Sequence, residues 1–343
     1  MKLITGLSFF AALASAVVVD LNKRDSPLDV KIEAVGNSGV KASITNTGAS
    51  DLKVFKTGSI LDTLAVEKAE VFAGSEQVAF DGIRLRLQTT GLTEDAFETI
   101  PAGTTVEVEW DVAEVHDLSA GGSFDVAAKG ALSYATAAGT DIAGTASFAS
   151  NVVSVNVDGA AAAKVRRAFR ENVKRTVVQS DCAGTQRTQT TTALSNCRAL
   201  AAAASSAAVS GSVAKMTEYF KSSTTATRST VAAVFARVAS ECGSTTSGVS
   251  RQYCTDIYPA CSAGVIAYTL PSQSYMVNCP TFFTMTALSR TCHAQDQATT
   301  AIQGTTDQSS CYGYSCVQSL TAAQNLRHAD TYALYANAIY VGC

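Results

Sequence analysis

The sequence predicts an α+β protein in which a β-rich N-terminal half precedes a mainly helical C-terminal half. Between residues 28 and 157, short segments place apolar residues at every second position, as half-buried strands do. After residue 176, the segments are rich in alanine and their apolar residues recur at helical spacing. All ten cysteines lie between Cys182 and Cys343. The first half must therefore fold by hydrophobic burial alone, whereas the second half has candidates for disulfide bonds.

The β-rich half consists of alternating segments separated by clusters of Gly, Asn, Asp and Thr. Short strands at this spacing are typical of an antiparallel β-sandwich. The segments are LDVKIEAV, GVKASITNTG, LKVFKTG, TTVEVEWDV, GSFDVAAKG and NVVSVNV.

The second half carries three clear helical patterns and one candidate β-hairpin. The helical segments are TTALSNCRALAAAASSAAV, SVAKMTEYF and TRSTVAAVFARVASEC. The segment AGVIAYTLPSQSYMVNC predicts a small hairpin with Pro271 and Ser272 in its turn. Helix is expected again in FTMTALSRTCHAQDQATTAI. A last helical region, LTAAQNLRHADTYALYANAIY, is expected to break near His328-Ala329-Asp330.

The first residues, MKLITGLSFFAALASAVVVD, have the features of a secretory signal peptide. Lys2 supplies the positive charge, an apolar run follows, and Ala14-Ser15-Ala16 forms a small-residue cleavage site. We therefore expect residues 1–16 to be a signal peptide and the product to be secreted to the extracellular space. No later run of about 18 uncharged apolar residues occurs, so no membrane association is expected. The net charge of −3, with both signs mixed, also gives no indication of a nucleic-acid partner.

A basic, apparently helical segment connects the two halves and ends at Lys174-Arg175. A dibasic pair in an exposed linker is accessible to processing proteases of the secretory pathway. The sequence therefore predicts a β-rich propeptide over residues 17–175, cleavage after Arg175 by a dibasic processing protease, and a mature protein over 176–343. The alternative is an inert two-domain protein with a basic linker.

Several stretches of the second half occur together, and in order, in one protein family. They are VIAYTLPSQ, CHAQDQATT, GTTDQSSCYGY, LTAAQNL and HADTYALYANAIYVGC. With these motifs, residues 176–343 resemble the fungal deuterolysins, or neutral protease 2, which are zinc endopeptidases of the aspzincin type. The resemblance implies a zincin-like mature domain, a Zn²⁺ cofactor, protein substrates and a monomer.

The family's active site has an H-E-x-x-H helix, whose histidines bind zinc from one helix face while the glutamate serves as general base. By resemblance, Asp307 in Gly304-Thr305-Thr306-Asp307 is the third zinc ligand, and Tyr312 stabilises the oxyanion. The H-E-x-x-H segment itself has no counterpart here. Roughly nine residues are missing after Ile302, judged against the motif and its helical turn. His293, in CHAQDQ, precedes the position of the zinc motif and is a flanking residue.

The residues that remain argue against a catalytic zinc. Residues 176–343 contain two histidines, His293 and His328, and two glutamates, Glu218 and Glu241. A catalytic zinc needs three protein ligands and a base, and the spacing of His293, Asp307 and His328 matches no ligand pattern. We expect a lone Asp307 to hold Zn²⁺ weakly, and this chain to be inactive as a peptidase. The alternative function is that of a non-catalytic secreted homologue acting as a binding or decoy protein.

An even cysteine count in a secreted chain indicates disulfide bonds. The resemblance implies the pairs Cys182–Cys254, Cys261–Cys279 and Cys292–Cys343. The pairing of the other four cysteines is open. Cys197 and Cys242 lie on helices that could pack side by side, and Cys311 and Cys316 bracket YGYS and could close a small loop.

Overall fold

The computed structural model describes residues 26–171, 181–243, 250–271, 274–302 and 312–343. It contains both helices and strands, consistent with the predicted α+β class. The predicted signal peptide and the cleavage position at Arg175 lie outside the described residues. Within the described ranges, no helix is both long enough and apolar enough to cross a bilayer.

Ten strands and one helix form the described part of the N-terminal half. The strands are β1 (Leu28–Val35), β2 (Gly39–Asn46), β3 (Leu52–Phe55), β4 (Glu70–Ala73), β5 (Glu76–Gln77), β6 (Arg84–Leu87), β7 (Phe97–Ile100), β8 (Thr105–Asp111), β9 (Gly122–Ala135) and β10 (Ile142–Val157). The helix α1 (Gly159–Glu171) follows, and short 3₁₀ turns occupy Glu94–Ala96 and Val112–Glu114.

Nine of these strands form two antiparallel sheets. One sheet has the order β1-β2-β8, and the other has the order β5-β4-β9-β3-β7, with β10 also paired to β9. The alternating residues of β1 and β2 are buried in one apolar cluster with residues of β9 and β10. The Asn151 side chain links the sheets, since it bonds both the amide and the carbonyl of Ile32 at 2.9 Å.

The C-terminal half is built from α2 (Gly184–Ser210), α3 (Val213–Phe220), α4 (Thr225–Cys242), β11 (Arg251–Tyr253), β12 (Val265–Leu270), β13 (Tyr275–Asn278), α5 (Gln297–Thr300), α6 (Tyr314–Ser319), α7 (Ala322–Asn325) and α8 (Ala329–Val341). A 3₁₀ helix occupies Pro280–Thr284. The strands β12 and β13 pair antiparallel, as the hairpin prediction requires. The expected break in the last helical region lies between α7 and α8.

Helices α2, α3, α4 and α8 enclose the helical core. Its centre is aromatic: Phe220 and Phe235 each contact the edges or faces of Tyr332 and Tyr335, with ring centroids 5.2–5.8 Å apart. Buried aromatic pairs of this kind add to the stability that area burial gives. The α8 residues Tyr332 and Tyr335 are thus part of the centre of this core.

The third sheet joins the two halves of the chain. Its order is β11-β13-β12-β6, so the N-terminal strand β6 forms one edge of a sheet whose other strands are C-terminal. The sequence did not indicate this pairing, because β6 is only four residues long and its partner lies far along the chain.

The helix predicted over FTMTALSRTCHAQDQATTAI is wrong for most of its length. Only Gln297–Thr300 is α-helical, after the 3₁₀ helix that ends at Thr284. The reason lies in Asp296, whose carboxylate accepts hydrogen bonds from the Thr299 and Ser289 amides at 2.7 Å. Asp296 therefore caps α5 and fixes a non-helical loop before it, in which His293 has a positive φ of 59°.

Four disulfide bonds lie within the described residues. They join Cys182 to Cys254, Cys197 to Cys242, Cys261 to Cys279, and Cys292 to Cys343. Cys316 is also disulfide-bonded. Cys311, the partner that the sequence suggested for it, lies outside the described residues.

The Cys292–Cys343 bond ties the loop before α5 to the C-terminal residue across 51 positions. Replacing both cysteines by serine is expected to lower the free energy of unfolding by roughly 4 kcal/mol, because the unfolded chain regains the entropy of an open loop. Urea denaturation measures this loss. A loss below about 1 kcal/mol, near the low end of the range for disulfides, would show that the bond does not constrain the unfolded chain.

Candidate functional site

The residues singled out in the sequence lie around the ends of α5, α6 and α8. Ile302 ends one described segment and Tyr312 begins the next. Asp307, the predicted zinc ligand, falls in the intervening residues and lies outside the described part of the chain.

His293 is held by neighbours that leave it no role as a metal ligand. Its Nε2 lies 2.7 Å from the Tyr219 hydroxyl, and its ring stacks on Tyr314 with centroids 3.8 Å apart. Its backbone amide donates to the Asn337 side chain at 2.8 Å. Burial lowers the pKa of His293 and raises that of Tyr219, so burial favours the neutral form of both partners.

Only one group of His, Cys, Asp and Glu side chains in the described ranges is compact enough to hold a metal ion. It consists of Cys292, His293 and Cys343. The two sulfurs are joined in a disulfide, so they cannot act as thiolate ligands. The group therefore offers one imidazole and no further donor, which does not fit zinc.

His328 is completely buried. Its Nε2 lies 3.9 Å from the sulfur of Cys316, and its ring centroid lies 6.5 Å from that of Tyr312. Burial, with a smaller effect from the nearby charge of Arg86, lowers the pKa of His328 to about 3. The neutral imidazole is thus part of the core of the C-terminal half.

Tyr312, the residue that the resemblance assigned to the oxyanion, is buried where the two halves meet. It belongs to the apolar cluster that contains Leu85 and Leu87 of β6 and Tyr268 of β12. Gly58 lies so close that an added Cβ would come within 3.2 Å of the Tyr312 hydroxyl. The N-terminal half thus covers this side chain.

Arg86 and Asp330 form an ion pair between β6 and the first turn of α8. The two residues are only 8 % and 1 % exposed. The second carboxylate oxygen of Asp330 accepts from the backbone amide of Gly313, directly after Tyr312. No sequence motif predicted this pair. The one available signal was an aspartate inside the otherwise apolar segment HADTYALYANAIY.

A second polar group surrounds His293 on the helical side. Glu218 accepts from the Tyr314 hydroxyl at 2.7 Å and pairs with Lys215 at 2.6 Å. Glu218 is the glutamate of α3, and its pKa is lowered despite partial burial, because Lys215 and Tyr314 donate to it. Glu218 therefore anchors α6 to α3 through the Tyr314 hydroxyl.

A cavity of about 280 Å³ lies between the third sheet, α4 and the residues Ala301 and Ile302 that follow α5. Arg84 and Arg86 of β6 line the cavity, together with Glu241 and Cys242 of α4 and with Ile302. The sequence motifs that resemble the zinc site thus border a cavity that the N-terminal half partly closes.

Comparison with known proteins gives one consistent result. The model of the deuterolysin metalloprotease (M35) family matches residues 1–343. A neutral protease 2 homologue of Colletotrichum graminicola is 62 % identical over 354 residues, covering 100 % of both chains. Similar proteins of Phaeosphaeria nodorum and Pyricularia oryzae are 54 % and 53 % identical, with 99 % and 100 % coverage of each chain.

Proposed function

Since the chain belongs to the deuterolysin metalloprotease (M35) family, we propose that it corresponds to the precursor of a secreted zinc endopeptidase that cleaves proteins. We also propose that the chain as it stands lacks the zinc-binding helix and is therefore inactive. The observation that carries the proposal is the placement of the histidines. The whole chain contains three, at positions 116, 293 and 328, so no two are four residues apart. An H-E-x-x-H helix cannot be formed from them.

The surroundings of the described histidines support this proposal. His293 is occupied by Tyr219 and Tyr314, and His328 is buried with a strongly lowered pKa. The described residues therefore do not fit a catalytic zinc. Asp307 and Tyr312 remain the residues proposed, by resemblance, as zinc ligand and oxyanion stabiliser in the complete family site.

The length of the alignment with the Colletotrichum relative supports a missing segment. The match spans 354 positions, whereas this chain has 343 residues. The relative therefore carries residues without a counterpart here. We propose that some of them form the zinc helix, which would continue from α5 beyond Ile302.

The proposed precursor has a signal peptide over residues 1–16 and a β-sandwich-like propeptide over 17–175. A mainly helical, zincin-like mature domain follows over 176–343. The confinement of all cysteines to the last part supports this division, since the halves are stabilised by different means. We propose that a dibasic processing protease cuts after Arg175, and that the propeptide chaperones the mature domain and masks it before this cleavage. Efficient folding of residues 176–343 expressed alone would contradict the chaperone role.

The missing segment is tested by sequencing the transcript across Ile302 to Gly304. A transcript that encodes an H-E-x-x-H helix at this point would show that the gene specifies an active peptidase and that this chain is an incomplete translation. A transcript identical to the present chain would contradict that interpretation.

The second candidate function is a non-catalytic secreted homologue that binds a protein. It is favoured by the disulfides and the packed aromatic core, which the C-terminal half has although the zinc motif is absent. Chelator-sensitive cleavage of a protein substrate by the purified chain would exclude this alternative.

A further inference from the structure

The strand β6 is bound to the C-terminal half much as a separate peptide binds to a sheet edge. It pairs antiparallel with β12, and the paired residues include Leu85 with Tyr268 and Arg84 with Thr269. The other side of β12 is already paired with β13. Without β6, the unpaired backbone groups of β12 would form an open sheet edge.

Side-chain hydrogen bonds extend the pairing beyond β6. The Gln295 carboxamide accepts from the Thr89 amide at 2.8 Å and donates to the Leu87 carbonyl. The Gln88 amide donates to the Gly264 carbonyl at 2.7 Å. These contacts bind the chain that follows β6 to the two loops next to β12 and α5.

Apolar contacts surround this ladder. Leu87 is fully buried, and it belongs with Phe55 and Phe97 to the cluster that contains Tyr268 and Tyr275 of the C-terminal half. A continuous apolar cluster across the boundary distinguishes this surface from a loose contact between domains.

Arg86 provides the charged contact at the centre of this surface. Its guanidinium enters the C-terminal half and pairs with the Asp330 carboxylate, where both side chains are almost completely buried. Removing one partner of a buried ion pair leaves an uncompensated charge and is strongly unfavourable. The pair therefore opposes separation of the halves far more than an exposed ion pair would.

We propose that the edge of β12, together with Asp330, is a docking surface for the N-terminal half as a separate polypeptide, with Arg84–Leu87 as the bound strand. This inference rests on the proposed cleavage after Arg175. Cleavage then leaves a non-covalent complex, in which β6 still lines the cavity and covers Tyr312. Dissociation of the N-terminal half, and not the cut itself, uncovers this side of the C-terminal half.

The test uses the full chain with the recognition sequence of a site-specific protease inserted between Arg175 and Thr176. After cleavage, size-exclusion chromatography over a dilution series measures the dissociation constant of the two halves. We expect the halves to elute together at micromolar concentration. Arg86→Leu is expected to weaken the complex at least about a hundred-fold, since it strands the Asp330 carboxylate.

Two further variants separate the ion pair from general effects. Arg167 is an exposed arginine of α1, and Arg167→Leu should leave the dissociation constant unchanged. The double variant Arg86→Leu/Asp330→Leu should bind more tightly than Arg86→Leu alone, because it removes the stranded charge. If Arg86→Leu fails to fold, hydrogen exchange of the Val265–Leu270 amides in the cut wild-type complex tests the proposal instead. These amides are expected to stay protected from exchange after the cut, because β6 remains paired with β12.

Separation of the wild-type halves at micromolar concentration, with both still folded, would overturn the proposal. If Arg86→Leu and Arg167→Leu change the dissociation constant equally, Arg86 makes no specific contribution to binding between the halves. Neither result depends on peptidase activity or zinc. The experiment can therefore contradict the docking proposal while the proposed function holds, and the proposed function can be contradicted while the docking proposal holds.

Discussion

We expect the chain to bind one zinc ion and to cleave protein substrates once a helical segment of about nine residues is inserted after Ile302. The inserted segment contains H-E-x-x-H. The present chain is expected to do neither. The inserted histidines would lie four residues apart on one helix face, and the inserted glutamate would supply the missing base. The insertion follows α5, whose start is fixed by the Asp296 cap. Zinc analysis of the purified protein and a casein cleavage assay after removal of the N-terminal half measure the two effects.

Matched insertions make this result specific. An insertion with glutamine in place of the glutamate should bind zinc without cleavage, and one with alanine in place of both histidines should do neither. Asp307→Ala in the active insertion should weaken zinc binding, if Asp307 is the third ligand. Stoichiometric zinc and cleavage without the inserted histidines would contradict the account.

Acidification from pH 6.5 to pH 4 is expected to destabilise the fold strongly. Burial lowers the pKa of His328 to about 3 and that of His116 to about 4 in the folded protein. In the unfolded chain, both imidazoles have the ordinary pKa of about 6.5. The unfolded state therefore binds more protons in this pH window, and stability falls as pH falls. Each histidine should contribute about 3 kcal/mol of loss at pH 4. Burial raises the pKa of Asp296, which opposes the trend in part.

Urea denaturation at a series of pH values measures this slope. His116 lies in the N-terminal half, where its Nδ1 is 3.3 Å from the Val78 carbonyl, and His328 lies in the C-terminal half. His116→Gln and His328→Gln should each flatten the pH dependence of their own half. A pH dependence that neither variant changes would show that the buried histidines do not cause it.

Much of the fold could be predicted from local patterns. The alternation in LDVKIEAV and GVKASITN corresponds to β1 and β2, because one face of each strand is buried and the other is not. The alanine-rich segments correspond to α2 and α4, because their buried residues recur at helical spacing and form one face of each helix. The expected helix around Cys292 is wrong because a buried aspartate, Asp296, and a disulfide override local propensity there.

The contacts between the halves could not be predicted. The four residues RLRL of β6 give a weak strand signal, and no local pattern shows that their partner is β12. The pairing of Arg86 with Asp330 depends on this register. A charged residue in an apolar segment indicates a buried partner, but it does not identify which of the chain's arginines or lysines that partner is.

The candidate site was predicted by motif, and the structure changes the interpretation of one of its residues, Tyr312. His293 lies against Tyr219, Tyr314 and a disulfide, in agreement with a flanking role. Tyr312 is buried under β6, so the N-terminal half covers the residue that the resemblance assigned to catalysis. Asp307 lies outside the described residues, and its role as a ligand stays a prediction.

The zinc content of the purified chain, measured together with chelator-sensitive proteolysis after separation of the two halves, tests the central claim most directly. The account predicts less than stoichiometric zinc and no chelator-sensitive cleavage, because three histidines at positions 116, 293 and 328 cannot form the family's zinc site. One tightly bound zinc per chain with chelator-sensitive cleavage would contradict it.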